Sequence, residues 1–95
     1  MPIVAVEYTY SEATAAARDE VRPDHRAWLS GLVDSGVVLT TGPFADGSGA
    51  LILVAADDVA AARSLFTNDP FARAGLVEAA RFTEWLPVMG QFSDR

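Results

Sequence analysis

Four segments of the chain are predicted to be β-strands. In the first, every second residue from Val4 to Tyr10 is apolar or aromatic, whereas Glu7 and Thr9 lie between them. This period of two residues is typical of a strand with one buried face. The three later segments begin or end beside turn residues. The predicted strands are Pro2–Tyr10, Val37–Thr41, Ala50–Ala56 and Leu76–Val88.

A helical period begins at Pro23. Four apolar side chains fall on one helical stripe, namely Trp28, Leu29, Leu32 and Val33. Pro23 suits the first turn of this helix, and Gly36 suits the position that follows its C-cap. The preceding segment, Ser11–Val21, is polar and alanine-rich and is predicted to be a connector with room for a helical turn.

A second, alanine-rich helix is predicted after the third strand. Asp57 is its expected N-cap, and the helix should run to about Thr67. Asn68-Asp69-Pro70 should end it, because the residue before a proline is steered away from the helical conformation. Pro70–Ala74 is then expected to form one short turn that Gly75 closes.

The order of these elements is β-α-β-β-α-β with a short helical insert before the last strand. Two β-α-β halves joined by a hairpin predict an α+β, ferredoxin-like fold with a four-stranded antiparallel sheet. A length of 95 residues is consistent with one domain over residues 1–95. Since the helices should cover one face of the sheet, we expect the other face to pair with a second copy, giving a homodimer.

Composition excludes several function classes. A net charge of −6 argues against binding to nucleic acids and to anionic membranes. The longest apolar run, Ala50–Ala56, is far shorter than the roughly 20 residues needed to span a bilayer. No leader pattern follows Met1, so the expected location is cytoplasmic.

The residue counts also limit the available catalytic chemistry. The chain has no cysteine, and all 7 of its basic residues are arginines. Thiolate chemistry and lysine Schiff bases are therefore excluded. The single histidine, His25, is the only side chain left for imidazole chemistry. No cluster has the spacing of metal ligands, since Asp57 and Asp58 are better explained by the helix dipole.

His25 is the leading candidate for catalysis. It precedes Trp28 by three residues and Leu29 by four, which places it on the apolar stripe of the first helix. An imidazole in that position could act as a general base or acid. The same spacing also fits a histidine that is merely hydrogen-bonded at the edge of the core.

Asp69 is the candidate partner of His25, because a carboxylate can orient an imidazole and raise its basicity. Its place before Pro70 is equally explained by N-capping of a short helix. Arg22 could hold an anionic group of a substrate, or could simply pair with a neighbouring acid on the surface.

The sequence Gly42-Pro43-Phe44 could form a backbone wall close to a ligand. A plain turn explains this sequence as well.

Taken in order, these motifs resemble the YciI-like protein family. The matching segments are Arg22–Leu29, Gly36, Gly42–Gly47, Asp69–Phe71, Gly75–Glu78 and Trp85, within a resemblance that spans roughly residues 3–88. The resemblance implies a dimeric α+β barrel and an active site around a His–Asp pair, at His25 and Asp69. Some relatives resemble lyases or dehydrochlorinases that act on hydroxylated aromatic compounds. The acidic, alanine-rich stretch before Arg22 and the cap at Asp57, where a serine is frequent, depart from the family pattern.

These observations lead to a hypothesis of a cofactor-independent lyase or isomerase acting on a small, aromatic or enol-type substrate. His25 would be the general base, Asp69 would orient it, and Arg22 with Gly42, Pro43 and Phe44 would line the pocket. An elimination is favoured over a redox reaction, because no flavin, nucleotide or metal motif is present in the sequence. Two alternatives remain, a non-catalytic ligand-binding or stress-associated module and a purely structural dimer.

Overall fold

The computed structural model describes residues 1–93, in which helices pack on a four-stranded sheet. The strands are β1 (Ile3–Thr9), β2 (Val38–Pro43), β3 (Gly49–Ala55) and β4 (Ala79–Trp85). The helices are α1 (Ala15–Asp34), α2 (Val59–Phe66) and the short α3 (Pro70–Arg73). The strands lie in the order β2-β3-β1-β4, and all neighbours pair antiparallel. The predicted α+β, ferredoxin-like arrangement is confirmed.

The buried core lies between the helices and one face of the sheet. Register partners in an antiparallel pair point to the same face, so Val6 of β1 and Ile52 of β3 enter the core together. Tyr8 follows Val6 on that face and is also buried. The core on this side includes Val4, Val6, Tyr8, Leu29, Val38, Ile52, Val54 and Phe66.

The first helix begins earlier than the sequence pattern predicts. Ser11–Val21 is not a connector, because a 3₁₀ turn over Glu12–Thr14 leads directly into α1 at Ala15. The alanine-rich stretch has high helix propensity, so Pro23 lies inside the helix rather than at its start. A proline within a helix lacks one backbone hydrogen bond, and tertiary contacts must offset that loss.

Arg18 provides such contacts near the start of α1. Its side chain is buried, and its guanidinium group lies 4.4 Å from the centre of the Tyr10 ring. The same group donates to the carbonyl oxygen of Ser11 at 2.8 Å and to the hydroxyl oxygen of Thr14. These interactions fix the early turns of the helix against the end of β1.

Other element boundaries also differ from the predicted ones. The N-cap of α2 is Asp58 rather than Asp57, since the Asp58 carboxylate accepts the Ala61 N–H at 2.7 Å. β2 extends past Thr41 to Pro43, which still pairs with Ala50 across the hairpin.

β4 is shorter than the predicted segment Leu76–Val88. Leu76 closes the turn after α3 by donating to the carbonyl oxygen of Phe71 at 2.9 Å, so the residue is not available to a strand ladder. At the other end, Trp85 pairs with Ile3, the first residue of β1. The strand ends there because β1 offers no further paired residue.

The second face of the sheet carries apolar side chains that no helix covers. The register places Ile3, Leu53, Leu51 and Trp85 on this open face, opposite the core residues of the same strands. Ile3 and Leu53 are buried, whereas the other two are exposed. Leu51 is 37% exposed and Trp85 is 41% exposed.

No helix within residues 1–93 has both the length and the apolar character needed to cross a membrane.

Candidate active site

The imidazole of His25 lies on the inner side of α1, as its spacing predicts. The residue is only 8% exposed, and Leu29 one turn later is buried beside it. Its Nδ1 atom lies 2.7 Å from Oδ1 of Asp69, which is 44 residues further along the chain. The structure therefore brings together the two residues that the sequence proposed as a pair.

Asp69 is completely buried and accepts hydrogen bonds from three groups. It is the N-cap of α3, and its Oδ1 accepts the backbone N–H of Phe71 at 3.0 Å. The same oxygen faces Nδ1 of His25, while Oδ2 accepts the Tyr8 hydroxyl at 2.7 Å. The capping role and the pairing role are thus filled by the same carboxylate.

This arrangement determines which nitrogen of His25 carries the proton when the ring is neutral. An ionised carboxylate can only accept hydrogen bonds, so Nδ1 must donate to Asp69. Nε2 has no hydrogen-bond partner among residues 1–93, yet no buried side-chain nitrogen or oxygen in that part of the chain lacks one. Nε2 is therefore accessible from outside, with a lone pair that can accept a proton.

Tyr8 is the residue of this network that sequence reasoning missed. Burial, followed by the neighbouring Asp69 carboxylate, raises the pKa of Tyr8 far above its ordinary value of about 10. The phenol consequently remains a hydrogen-bond donor throughout the neutral range. Strand periodicity places Tyr8 on the inner face, and a buried phenol requires a partner, so this signal was present in the sequence.

Phe71 fixes the plane of the imidazole. Its ring is stacked on that of His25, with the ring centres 3.8 Å apart and the planes 3° from parallel. The first turn of α3 places Phe71 there, because Asp69 both caps this helix and binds His25. No sequence pattern indicates this contact, because it depends on the position of α3 beside α1.

A cavity of about 300 Å³ opens beside His25, between α1 and the β2–β3 hairpin. Five lining residues are apolar in character, namely Leu29, Pro43, Ala50, Ile52 and Phe71. The others are Tyr10, Arg22, His25, Arg26, Thr41 and Gly42. The cavity thus combines an apolar wall with the histidine and two arginines.

Three of the four residues predicted to line a pocket border this cavity. Gly42 and Pro43 line the cavity, but Phe44 is not among its lining residues and is 39% exposed in the hairpin turn. Arg22 also lines the cavity, although it lies within α1 rather than ahead of it. Its guanidinium group forms an ion pair with Asp19 at 2.5 Å, as expected if Arg22 pairs with a neighbouring acid.

Within residues 1–93, no three histidine, cysteine or acidic side chains come together in an arrangement that could hold a metal ion. The polar network at Asp69 consists of hydrogen bonds alone.

Comparison with known proteins gives a family and a fold. A family model described as the YCII-related domain matches residues 1–86. No curated protein sequence matches the chain. Among solved structures, the 5-chloro-2-hydroxyhydroquinone dehydrochlorinase TftG from Burkholderia phenoliruptrix, in complex with 2,5-dihydroxybenzoquinone, is similar with a TM-score of 0.76. The sequences are 22% identical, and the match covers 87% of this chain and 92% of TftG.

The hydrogen bond from Tyr8 to Asp69 should contribute measurably to stability. Replacing Tyr8 with Phe leaves Oδ2 of a buried carboxylate without its donor, so we expect a loss of about 1–3 kcal/mol in the free energy of unfolding. Urea denaturation followed by circular dichroism measures this loss. Tyr10→Phe is the matched control, because the Tyr10 hydroxyl makes no hydrogen bond within residues 1–93, and it should change stability by less than about 0.5 kcal/mol. Equal effects of the two substitutions would contradict this interpretation.

Proposed function

Since the chain belongs to the YCII-related family, whose model matches its residues 1–86, we propose that it is a small-molecule lyase that uses His25 as its general base. The observation that carries the proposal is the hydrogen bond of 2.7 Å between Nδ1 of His25 and Asp69. It leaves Nε2 as the atom that takes a proton from a substrate in the adjacent cavity. The dehydrochlorinase activity of TftG, which shares the fold, supports an elimination as the reaction.

The proposed step is the loss of hydrogen chloride from the keto tautomer of a hydroxylated, chlorinated ring, in which the carbon that bears chlorine is tetrahedral and lies next to an enolic double bond. Nε2 of His25 accepts one proton, and the electron pair left on the substrate moves through the ring system to form a new π bond. Chloride leaves with the electron pair of its bond to carbon, so the net loss is one proton and one chloride ion. The imidazolium that results then returns its extra proton to water.

Asp69 contributes to this step without touching the substrate. Its negative charge lies against Nδ1 and stabilises the positive charge that the ring acquires when Nε2 is protonated. Because Tyr8 and the Phe71 N–H also donate to it, the carboxylate cannot rotate away from the imidazole. Asp69 is therefore a positioning residue in the proposal, and His25 is the catalytic one.

The cavity walls support a small aromatic substrate. Pro43 and Ile52 line the side formed by the hairpin, and Phe71 extends the apolar surface next to His25. A volume of about 300 Å³ is at the lower end of the range for ligand sites, which favours a single substituted ring. Arg22 and Gly42 lie at the same cavity and are proposed to contact the ring substituents. Phe44, which lies outside the lining, is left out of the binding site.

Chloride release from a panel of chlorinated hydroxyquinones and hydroquinones tests the proposal. We expect turnover by the wild-type protein and a loss of about 10²–10⁴-fold in His25→Gln, the range typical of general-base catalysis. Asp69→Asn should also lower kcat. The amide can donate its NH₂ group to Nδ1, which leaves the ring proton on Nε2, the nitrogen that acts as the base. Arg73→Gln, on the exposed end of α3, serves as the control and should retain activity. Melting curves check that each variant is folded.

Equal chloride release by wild type and His25→Gln would reject the role of His25. Binding of the same compounds without any turnover would instead favour the alternative, a non-catalytic ligand-binding module. Binding without turnover can be distinguished from a lack of binding, because binding is measured on the same samples by NMR.

We further propose that two copies pair through the open face of the sheet. Leu51 and Trp85 are exposed there, whereas Ile3 and Leu53, on the same side of their strands, are buried. Exposed apolar surface of this kind is a common site of association between copies of one chain. A homodimer of this type also fits the architecture that the family resemblance implies.

Light scattering coupled to size exclusion tests the homodimer. The wild-type protein should have twice the 10.1 kDa mass of one chain. Leu51→Glu places a charge on the open face and should shift the protein toward the monomer. Val33→Glu alters another exposed apolar residue, on α1 and away from that face, and should leave the mass unchanged. A monomeric wild type would refute the homodimer.

A further inference from the structure

The charges at the cavity differ from those of the chain as a whole. The chain carries 13 acidic residues and a net charge of −6. The residues that line the cavity nevertheless include Arg22, Arg26 and His25, and no aspartate or glutamate. Arg22 and Arg26 are four residues apart on α1, so they are neighbours on the helix surface with His25 beside them. The cavity is therefore a cationic region on an acidic protein.

The two arginines are not equivalent. Arg22 already forms an ion pair with Asp19 at 2.5 Å, which compensates part of its charge. Arg26 takes part in no ion pair among residues 1–93, and its side chain is exposed at the cavity. Arg26 is consequently the cation whose donors are available to an incoming group. A guanidinium group binds a carboxylate, or another group with two neighbouring oxygen atoms, through two parallel hydrogen bonds.

The buried carboxylate of Asp69, next to His25, does not strongly repel an anion in the cavity. Asp69 lies behind His25, with no solvent exposure of its own. Its two oxygens are occupied by donors from Tyr8, His25 and the Phe71 backbone. These three donors stabilise the negative charge of Asp69, whereas the positive charge of Arg26 faces the cavity.

The rest of the cavity lining is largely flat and apolar. The parallel rings of His25 and Phe71 both border the cavity, and Leu29 and Ile52 extend the apolar surface. A ligand that uses all of these features has a planar ring and one negatively charged oxygen substituent. The apolar wall binds the ring, and the guanidinium group binds the oxygens.

We propose that this cavity selects planar aromatic anions and that Arg26 is the residue responsible for the selection. The inference deepens the proposed function, because the anion would be the substrate on which His25 acts. It assigns to the lyase a substrate that is already ionised at neutral pH, as a carboxylate or a phenolate. Arg26 then determines specificity through charge, and His25 determines the chemistry.

Binding of benzoate and benzamide tests the charge selection without requiring turnover. The two probes share a ring and a similar size but differ in charge, and the ring signals of the single histidine report occupancy of the cavity. We expect benzoate to bind the wild-type protein at least about tenfold more tightly than benzamide. Added salt should weaken benzoate alone, because only the charged probe is screened.

Substitutions of Arg26 identify the residue. Arg26→Gln should abolish the preference by weakening benzoate and leaving benzamide unchanged, and Arg26→Lys should restore it in part, since a lysine supplies the charge without the paired donors. Arg73→Gln is the control and should behave as the wild type.

Equal affinity for the two probes in the wild type would overturn the proposal, as would an unchanged preference in Arg26→Gln. Failure of benzoate to shift the His25 signals would overturn it as well. Failure of the proposed function gives a different result, because selective benzoate binding without chloride release rejects the lyase and retains the anion site.

Discussion

The site depends on the hydrogen bonds that one buried carboxylate accepts. Asp69 has no contact with solvent, and a charge in that position is tolerated only when donors surround it. Its three donors come from β1, α1 and the first turn of α3, with sequence separations of 61 residues to Tyr8 and 44 to His25. Satisfying this one group therefore ties three distant parts of the chain together. Loss of any donor leaves a buried charge partly unpaired, which is far more costly than loss of a surface contact.

The same constraint shapes the cavity beside it. Because Asp69 caps α3, the following Phe71 is brought onto the ring of His25 and forms part of the cavity wall. Because Asp69 binds Nδ1, the opposite nitrogen of His25 is left accessible. The helix that carries His25 also carries Arg22 and Arg26 to the cavity. Orientation of the base, shape of the wall and placement of charge thus follow from a single packing arrangement.

Much of the fold could be predicted from local pattern. The alternation along β1, the turn residues of the hairpin and the Asp69–Pro70 boundary correspond to the observed elements. The start of α1 could not, because Pro23 is a strong local signal for a first turn. Its effect is outweighed by the helix propensity of the preceding alanines and by the contacts of Arg18 with Tyr10 and Ser11.

The site was predictable only in part. Helical spacing placed His25 on the inner face, but its proximity to Asp69 spans 44 residues and was implied by the family resemblance rather than by any spacing. Tyr8 carried a usable signal as a phenol on a buried strand face. The stacking of Phe71 and the place of Arg26 depend on how α1 and α3 pack, which no local pattern contains.

The protonation state of the single histidine tests the central claim most directly. Long-range ¹H–¹⁵N correlation spectra distinguish the two ring nitrogens of His25 at a pH high enough for the imidazole to be neutral. The structure requires the proton on Nδ1, where Asp69 accepts it, and a bare Nε2 toward the cavity. Asp69→Asn should abolish this preference. A neutral ring with its proton on Nε2 in the wild-type protein would contradict the proposed role of His25 as a base.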